Sequence, residues 1–382
     1  MFPRLLRPPK SSFFLFGPRG SGKTTWLREH FPRAHRIDLL DEARYQRYLA
    51  DVSLFERELR ALPAGSWVVV DEVQRLPFLL NEVHRAIEER KMRFALTGSS
   101  ARKFRRAGVN LLAGRAVRRA MYPFAPEELG EAFDLHRALR IGTLPLIWTS
   151  EDPEDRLAAY ARLYLKEEIQ AEAAVRNLQG FARFLPIAAL LHGQVVNVSN
   201  VARDAGVART TVHGYVEVLQ DTLIVALLPS FEAKLRVRER KHPKLYFIDP
   251  GLVRALKGAK GDPIAEERGA LLEGFVHAML CLYRDVRGLW DAVHYWAPAE
   301  ARNTEVDFLV SAGRERFALE VKASARVRGE HFRGLRAIEG LAGLKARLLV
   351  HLGVETGRTS DGIDVLPFAV FCDRLRRRSL AR

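Results

Sequence analysis

The sequence predicts an α/β protein in several parts, and three observations predict it. Residues 11–130 alternate short apolar runs with helical stretches, the pattern of a parallel sheet covered by helices. Residues 180–232 form an apolar-periodic unit with a turn at its middle. From about residue 240 strand signals return around one long helix. The expected units are a parallel-sheet domain over 1–130, a helical lid or linker over 131–179, a winged-helix-like region over 180–235 and a second α/β domain over 236–382.

Taken in order, Ser12–Phe16 reads as a buried strand, Lys23–His30 as a helix and His35–Leu39 as a strand. Leu54–Leu62 reads as helix, Trp67–Val70 as strand, Phe78–Arg90 as helix and Arg93–Thr97 as a fourth strand. Residues 131–178 lose the strand signal, and Asp155–Arg176 reads as one long helix with Leu157, Tyr160, Leu163, Tyr164 and Ile169 as its apolar positions. Later strands are expected at Lys244–Ile248, Ala292–Trp296, Val306–Val310, Phe317–Val321 and Ala346–His351, with a helix from about Ala265 to Tyr283. The basic tail 374–382 is expected to fray.

GlyProArgGlySerGlyLysThr at 17–24 fits G-x-x-x-x-G-K-[ST], follows an apolar strand and opens a helix. Gly17, Gly20 and Gly22 let the backbone curl, so that the N–H groups of the loop, through Pro18, Arg19, Ser21 and Thr25 at its flanks, surround phosphates. Lys23 is expected on the β- and γ-phosphates and the Thr24 hydroxyl on Mg²⁺. The run ending in Asp71 and Glu72 is the partner strand: Asp71 holds Mg²⁺ and Glu72 orients the attacking water. ATP is the cofactor this pair of motifs implies. Thr97 or Ser99, after the next strand, is a candidate γ-phosphate sensor. Arg115 is the candidate for charge neutralisation, in its own or a neighbouring subunit, with Arg102, Arg105 and Arg106 as competitors. An arginine acting in trans requires a ring or dimer, so a homo-oligomer through this domain is an expectation.

Asn197–Ala205, Gly206 and Ala208–Leu219 resemble a helix-turn-helix, with Ile224–Phe231 as the strand of a winged version. Arg209, Thr210, Thr211 and His213 are its candidate nucleic-acid contacts; a structural lid is the competing reading.

Val306–Val310 carries a lone acid, Asp307, and the next apolar strand carries Glu320 and Lys322 on one face. Hard oxygen donors on neighbouring strands suit Mg²⁺ or Mn²⁺. Lys322 is placed to position water or stabilise a phosphate, and Glu273 on the preceding helix to complete the metal set. This order resembles the PD-(D/E)xK nuclease superfamily, which implies a restriction-endonuclease-like mixed sheet flanked by helices. Val306 stands where that pattern usually has proline.

The motifs at 17–25, 68–77 and 95–101, with LeuLeuAlaGlyArgAla and TyrProPhe, resemble a prokaryotic group of AAA-type ATP-binding proteins. TyrPheIleAspProGlyLeu at 246–252, LeuGluGlyPheVal at 272–276 and GluValAspPheLeuVal at 305–310 match that group's C-terminal domain. The resemblance implies an N-terminal AAA-type ATPase fused to a PD-(D/E)xK nuclease-like domain.

Composition agrees with a partner of negative charge. Net charge is +15, and 49 of the 61 basic residues are arginine, whose planar fork suits phosphate. A GC-rich genome that favours arginine codons gives the same count, so charge alone does not settle the partner; with the motifs above, DNA is the expected one. Cys281 and Cys372 are too few for a disulfide framework. MetPheProArgLeuLeuArg carries charges and proline where an apolar signal core would run, and the longest uncharged stretch, 184–202, is interrupted by His192, Gln194 and Asn197. A cytoplasmic protein without a membrane span is expected. Two functions follow: an ATP-dependent DNA-processing enzyme, or a STAND-type nucleotide switch that binds DNA or a partner through an inactive nuclease-like domain.

Overall fold

Strand β1 (Phe13–Phe16) is entirely buried, because both faces of its sheet are covered. Phe14 and Phe16 pack on one side with Val68, Val70 and Leu96, while Phe13 and Leu15 pack on the other with Trp26, Leu27 and Val69. The sheet is parallel and runs β2-β3-β4-β1-β5, with β2 His35–Asp38, β3 Trp67–Asp71, β4 Arg93–Gly98 and β5 Val117–Ala120. Helices α1 (Lys23–His30), α2 (Glu42–Ala50), α3 (Ser53–Arg60) and α4 (Leu79–Arg90) cover it. The computed structural model describes residues 2–98, 112–164, 177–232, 241–299 and 304–380.

The middle of the chain is helical: α5 (Pro126–Leu129), α6 (Leu135–Ile141), α7 (Pro145–Trp148) and α8 (Pro153–Ala159). The helix expected over 155–176 gives way to a π-helical turn at Tyr160–Tyr164, and Ile169 lies outside the described residues. Then come α9 (Leu178–Leu190), β6 (Gln194–Val195), α10 (Val198–Ala205), α11 (Arg209–Asp221), β7 (Val225–Leu228), β8 (Lys244–Phe247) and α12 (Pro250–Leu256). Asn197 caps α10 through Ser199 N and Asn200 N, and Gly206 ends it in the left-handed region at φ 65°. Strand β8 pairs antiparallel with both β6 and β7. The strand expected to open the last domain thus belongs to the middle unit's sheet, since its partners lie upstream.

The last unit is a six-stranded mixed sheet in the order β13-β14-β12-β11-β10-β9. Its members are β9 Ala292–Trp296, β10 Val306–Ala312, β11 Glu315–Lys322, β12 Leu344–His351, β13 Gly357–Arg358 and β14 Asp364–Pro367. β9, β10 and β11 form an antiparallel meander, and β11, β12 and β14 run parallel. The long helix α13 (Ala265–Arg287) packs on the face that carries Phe308 and Leu319, while α14 (Arg333–Ala337) lies against Leu309 and Ala318. The tail does not fray where expected: α15 (Phe368–Arg376) is helical, Arg374 bonds to Asp364 at 3.0 Å and Leu380 is buried.

Candidate functional site

At the C-terminal ends of β1, β3 and β4 the two nucleotide motifs meet. Gly22, at φ 90°, turns the loop into α1, a conformation that costs glycine little. The Lys23 ammonium, nearly buried, donates to the carbonyls of Gly17 at 2.7 Å and Pro18 at 3.3 Å. Thr24 Oγ1 donates to Asp71 Oδ2 at 2.9 Å. The hydroxyl and carboxylate expected to hold Mg²⁺ are therefore adjacent, and this oxygen pair fits a hard divalent ion.

Thr97, fully buried, is bound into the same cluster. Its hydroxyl donates to Asp71 Oδ1 and accepts from Glu72 N at 3.2 Å. Glu72 sits in the left-handed region at φ 56°, a strained state for a side-chain-bearing residue. Its carboxylate accepts from Gln74 Nε2. Gly98 leaves room for that glutamine, whose Oε1 lies 2.5 Å from where a Cβ would stand. Gln74 falls within the 68–77 motif, but no role was read for it from the sequence.

Arg115 stands elsewhere. It bonds to Glu88 on α4 and precedes β5, whose first residue Val117 is level with Phe13. Phe13 lies four residues before Gly17, about 13 Å at the strand rise. Arg115 is thus at the opposite end of the sheet from the phosphate loop of its own chain. Ser99, Arg102, Arg105 and Arg106 lie outside the described residues.

In the last unit, Lys322 Nζ lies 2.5 Å from Glu320 Oε1 and 3.9 Å from Asp307 Oδ2, which also accepts from Val321 N at 2.8 Å. Both acids are buried, and Glu320 Oε2 has no hydrogen-bond partner among the described residues. Burial pushes the Asp307 carboxyl well above the usual range, and Glu320 and Glu273 push it further. Burial raises Glu320 to about 7 despite the pull of Lys322. Glu320 and Lys322 line a cavity of about 350 Å³ with Thr304, Glu305, Glu330 and Arg333.

Glu273 is near but engaged. Its Oε1 accepts from Lys244 Nζ at 3.1 Å and from the Tyr246 hydroxyl, and Lys244 also bonds to Glu305 Oε1 at 2.9 Å. Among the described residues no group of three His, Cys, Asp or Glu side chains is arranged to hold a metal ion. The expected three-acid set therefore divides: Asp307 and Glu320 remain as a pair open to a divalent ion, and Glu273 is taken by Lys244. Two carboxylates with water and substrate oxygens suffice for Mg²⁺, and the unpartnered Glu320 Oε2 fits such an ion.

Residues 9–130 match the family model described as AAA domain. The N-terminal third of this chain is of the AAA type. Residues 132–262 and 268–371 match models described as Domain of unknown function (DUF8612) and Domain of unknown function (DUF4143). The chain is 29% identical over 326 residues to the uncharacterized proteins Rv2008c of Mycobacterium tuberculosis and Mb2031c of Mycobacterium bovis, covering 81% of this chain and 70% of each relative. Among solved structures, the Aeropyrum pernix ORC1 protein in complex with DNA is 13% identical at a TM-score of 0.28, covering 66% of this chain and 87% of that one. That similarity is too distant to carry an inference.

The AAA-type domain is clamped from outside its own sheet. Arg4 donates to Ser21 O at 2.9 Å and pairs with the buried Glu128. The Tyr160 hydroxyl donates to Arg19 O at 3.1 Å, and Leu146 N on α7 donates to Gly20 O at 3.1 Å. Asp249, fully buried and raised to about 6 by burial, accepts from Thr143 N at 2.6 Å and Leu144 N at 3.1 Å, fixing the segment that carries Leu146. On α11, Arg209, Thr210 and His213 are exposed and Thr211 is half-buried. No helix among the described residues is long and apolar enough to cross a membrane.

Proposed function

We propose that this chain hydrolyses ATP at its AAA-type domain and, coupled to that, cleaves DNA at Asp307, Glu320 and Lys322. The observation that carries the cleavage reading is the shared strand face of Glu320 and Lys322, with Asp307 across from it and Glu320 Oε2 buried without a partner. At the first site Glu72 orients water toward the γ-phosphorus; a bond from water to phosphorus forms, the bond to the β–γ bridging oxygen breaks, a water proton passes to the released phosphate, and ADP leaves. Lys23 and the loop N–H groups hold the phosphates throughout. Mg²⁺ bound by Thr24 and Asp71 supplies neutralisation of phosphate charge.

At the second site water bonds to the phosphodiester phosphorus, the bond to the leaving sugar oxygen breaks, and a water proton passes to that oxygen. Mg²⁺ or Mn²⁺ bound by Asp307 and Glu320 supplies a water of lowered pKa. The Lys322 ammonium steadies the charge that grows on the phosphate. The winged-helix-like order of α9, β6, α10, α11, β7 and β8, with Arg209, Thr210, Thr211 and His213 on α11, supports DNA binding there. Arg115 serves the nucleotide of a neighbouring copy, since its own phosphate loop lies at the other end of the sheet.

The test is incubation of the full chain with supercoiled plasmid in Mg²⁺ or Mn²⁺, with and without ATP. Cleavage present in the parent, absent in Lys322→Ala and changed in ATP response by Lys23→Ala is the expected result. No cleavage under any condition with DNA binding intact would replace this reading by the nucleotide switch.

A further inference from the structure

The Lys244 side chain is almost wholly buried, and it comes from a different unit than the acids it meets. Its ammonium lies 3.1 Å from Glu273 Oε1, 2.9 Å from Glu305 Oε1 and 5.5 Å from the centre of the Tyr295 ring. Burial alone would lower its pKa, yet Glu273, Asp307 and Glu305 together raise it above the usual lysine range. A buried ammonium is retained only where paired carboxylates repay its desolvation. Tyr246, two residues along the same strand, donates to the same Glu273 oxygen. β8 thus presents a positive charge and a hydroxyl to Glu273.

The charges of the whole cluster limit what else it holds. Glu273, Glu305, Asp307 and Glu320 face two ammonium groups, Lys244 and Lys322. Four carboxylates against two ammoniums leave two negative charges, which one divalent ion balances. A second ion would leave the buried cluster two positive charges in excess with Lys244 in place and one without it, so this ammonium adds to what a low-dielectric site resists. Glu320 Oε2 is buried without a partner among the described residues, whereas Glu273 Oε1 and Glu305 Oε1 are held by Lys244.

We infer that Lys244 is the resident cation of this site, standing between Glu273 and Glu305 where a second metal ion would otherwise bind, so that the site takes a single divalent ion at Asp307 and Glu320. The inference rests on the metal-dependent reading above. It makes Glu273 a partner of Lys244 and not a metal ligand, and it makes the middle unit a contributor to the last unit's site.

The experiment counts Mn²⁺ bound per chain, by electron paramagnetic resonance, in nucleotide-free protein carrying Asp71→Asn to empty the first site. One ion is expected, lost in Glu320→Gln. Adding Lys244→Gln raises the count to two, and adding Glu273→Gln to that variant returns it to one. A count unchanged by Lys244→Gln overturns the inference while leaving the metal reading intact. If Lys244→Gln does not fold, Glu273→Gln alone decides: an unchanged affinity supports the inference, and a loss of more than about tenfold makes Glu273 a ligand and overturns it. A count of zero in the parent, or one unmoved by Glu320→Gln, refutes instead the metal reading itself.

Discussion

Thr97 donates its hydroxyl proton to Asp71 Oδ1, so that a residue at the end of β4 orients the carboxylate whose other oxygen faces Thr24. The same hydroxyl accepts from Glu72 N. One oxygen therefore sets the geometry of both acids of the nucleotide site. Thr97→Val keeps the shape and removes that oxygen. It should lower ATP hydrolysis at limiting Mg²⁺ by about 10- to 100-fold, with Thr97→Ser close to the parent. Mg²⁺ titrations of the three proteins check this; equal curves would assign Thr97 to packing alone.

Acidity at the second site has a direction that follows from burial. Glu320 is raised to about 7 and Asp307 is raised as well. An acid whose folded pKa exceeds its unfolded value of about 4 favours the fold while protonated. In metal-free protein this contribution is full below about pH 4 and is lost as pH rises through about 7. A divalent ion displaces the protons, so Mn²⁺ affinity should climb between about pH 6 and pH 8. Calorimetric titrations in buffers of different ionisation heat would reveal the proton release; none detected would contradict the buried pair.

Gly274 follows Glu273 on α13, and a Cβ there would stand 2.0 Å from His192 Nε2. Gly269, on the same helix, has nothing within 4 Å. Alanine should therefore act with opposite sign at the two positions. Gly274→Ala is expected to destabilise by about 1–3 kcal/mol through overpacking, and Gly269→Ala to stabilise by up to about 1 kcal/mol. Urea unfolding of both variants measures the contrast.

Asp249 accepts from the backbone of Thr143, Leu144 and Leu252 with no exposure to solvent. Removing the carboxylate strands those N–H groups. Asp249→Ala should cost about 2–3 kcal/mol and, because Leu146 loses its support against Gly20, raise the KM for ATP. A stability loss with KM unchanged would show that α7 is held by other contacts.

Arg209 is exposed at the start of α11. If it meets a phosphate, Arg209→Ala should weaken DNA binding evenly across sequences and reduce the salt slope of log K by about one. Fluorescence anisotropy at several salt concentrations reads the slope directly; an unchanged slope removes α11 from the interface.

Strands β1 and β3 were legible because they are apolar runs that lead into residues with chemistry, Gly17 and Asp71, whereas β5, ValArgArgAla at the sheet edge, carries two arginines and was not. Register did not have to be known to pair those ends. Helix α2 was missed because its face holds tyrosines among charges, and only Tyr48 is buried. At the second site strand alternation put Glu320 and Lys322 on one face, and Asp307 was read as the lone acid of the strand before. Lys244 was not. A lysine opening the buried run LysLeuTyrPhe was its trace, but its acids lie 29 and 61 residues away, and the strand's partners are chosen by long-range pairing that a local pattern does not encode.

Strand β8 is short, yet it carries Lys244 at its start and leads directly into Asp249. One end reaches the acids of the last unit and the other holds the segment that touches the phosphate loop. The C-terminal half is therefore not a self-sufficient module. A chain cut after β8 would leave Glu273 and Glu305 facing each other without their ammonium, and recombination between relatives that exchanged the last unit alone would inherit an unbalanced site. For this protein the heritable unit of the second site begins at Lys244, inside the domain before it.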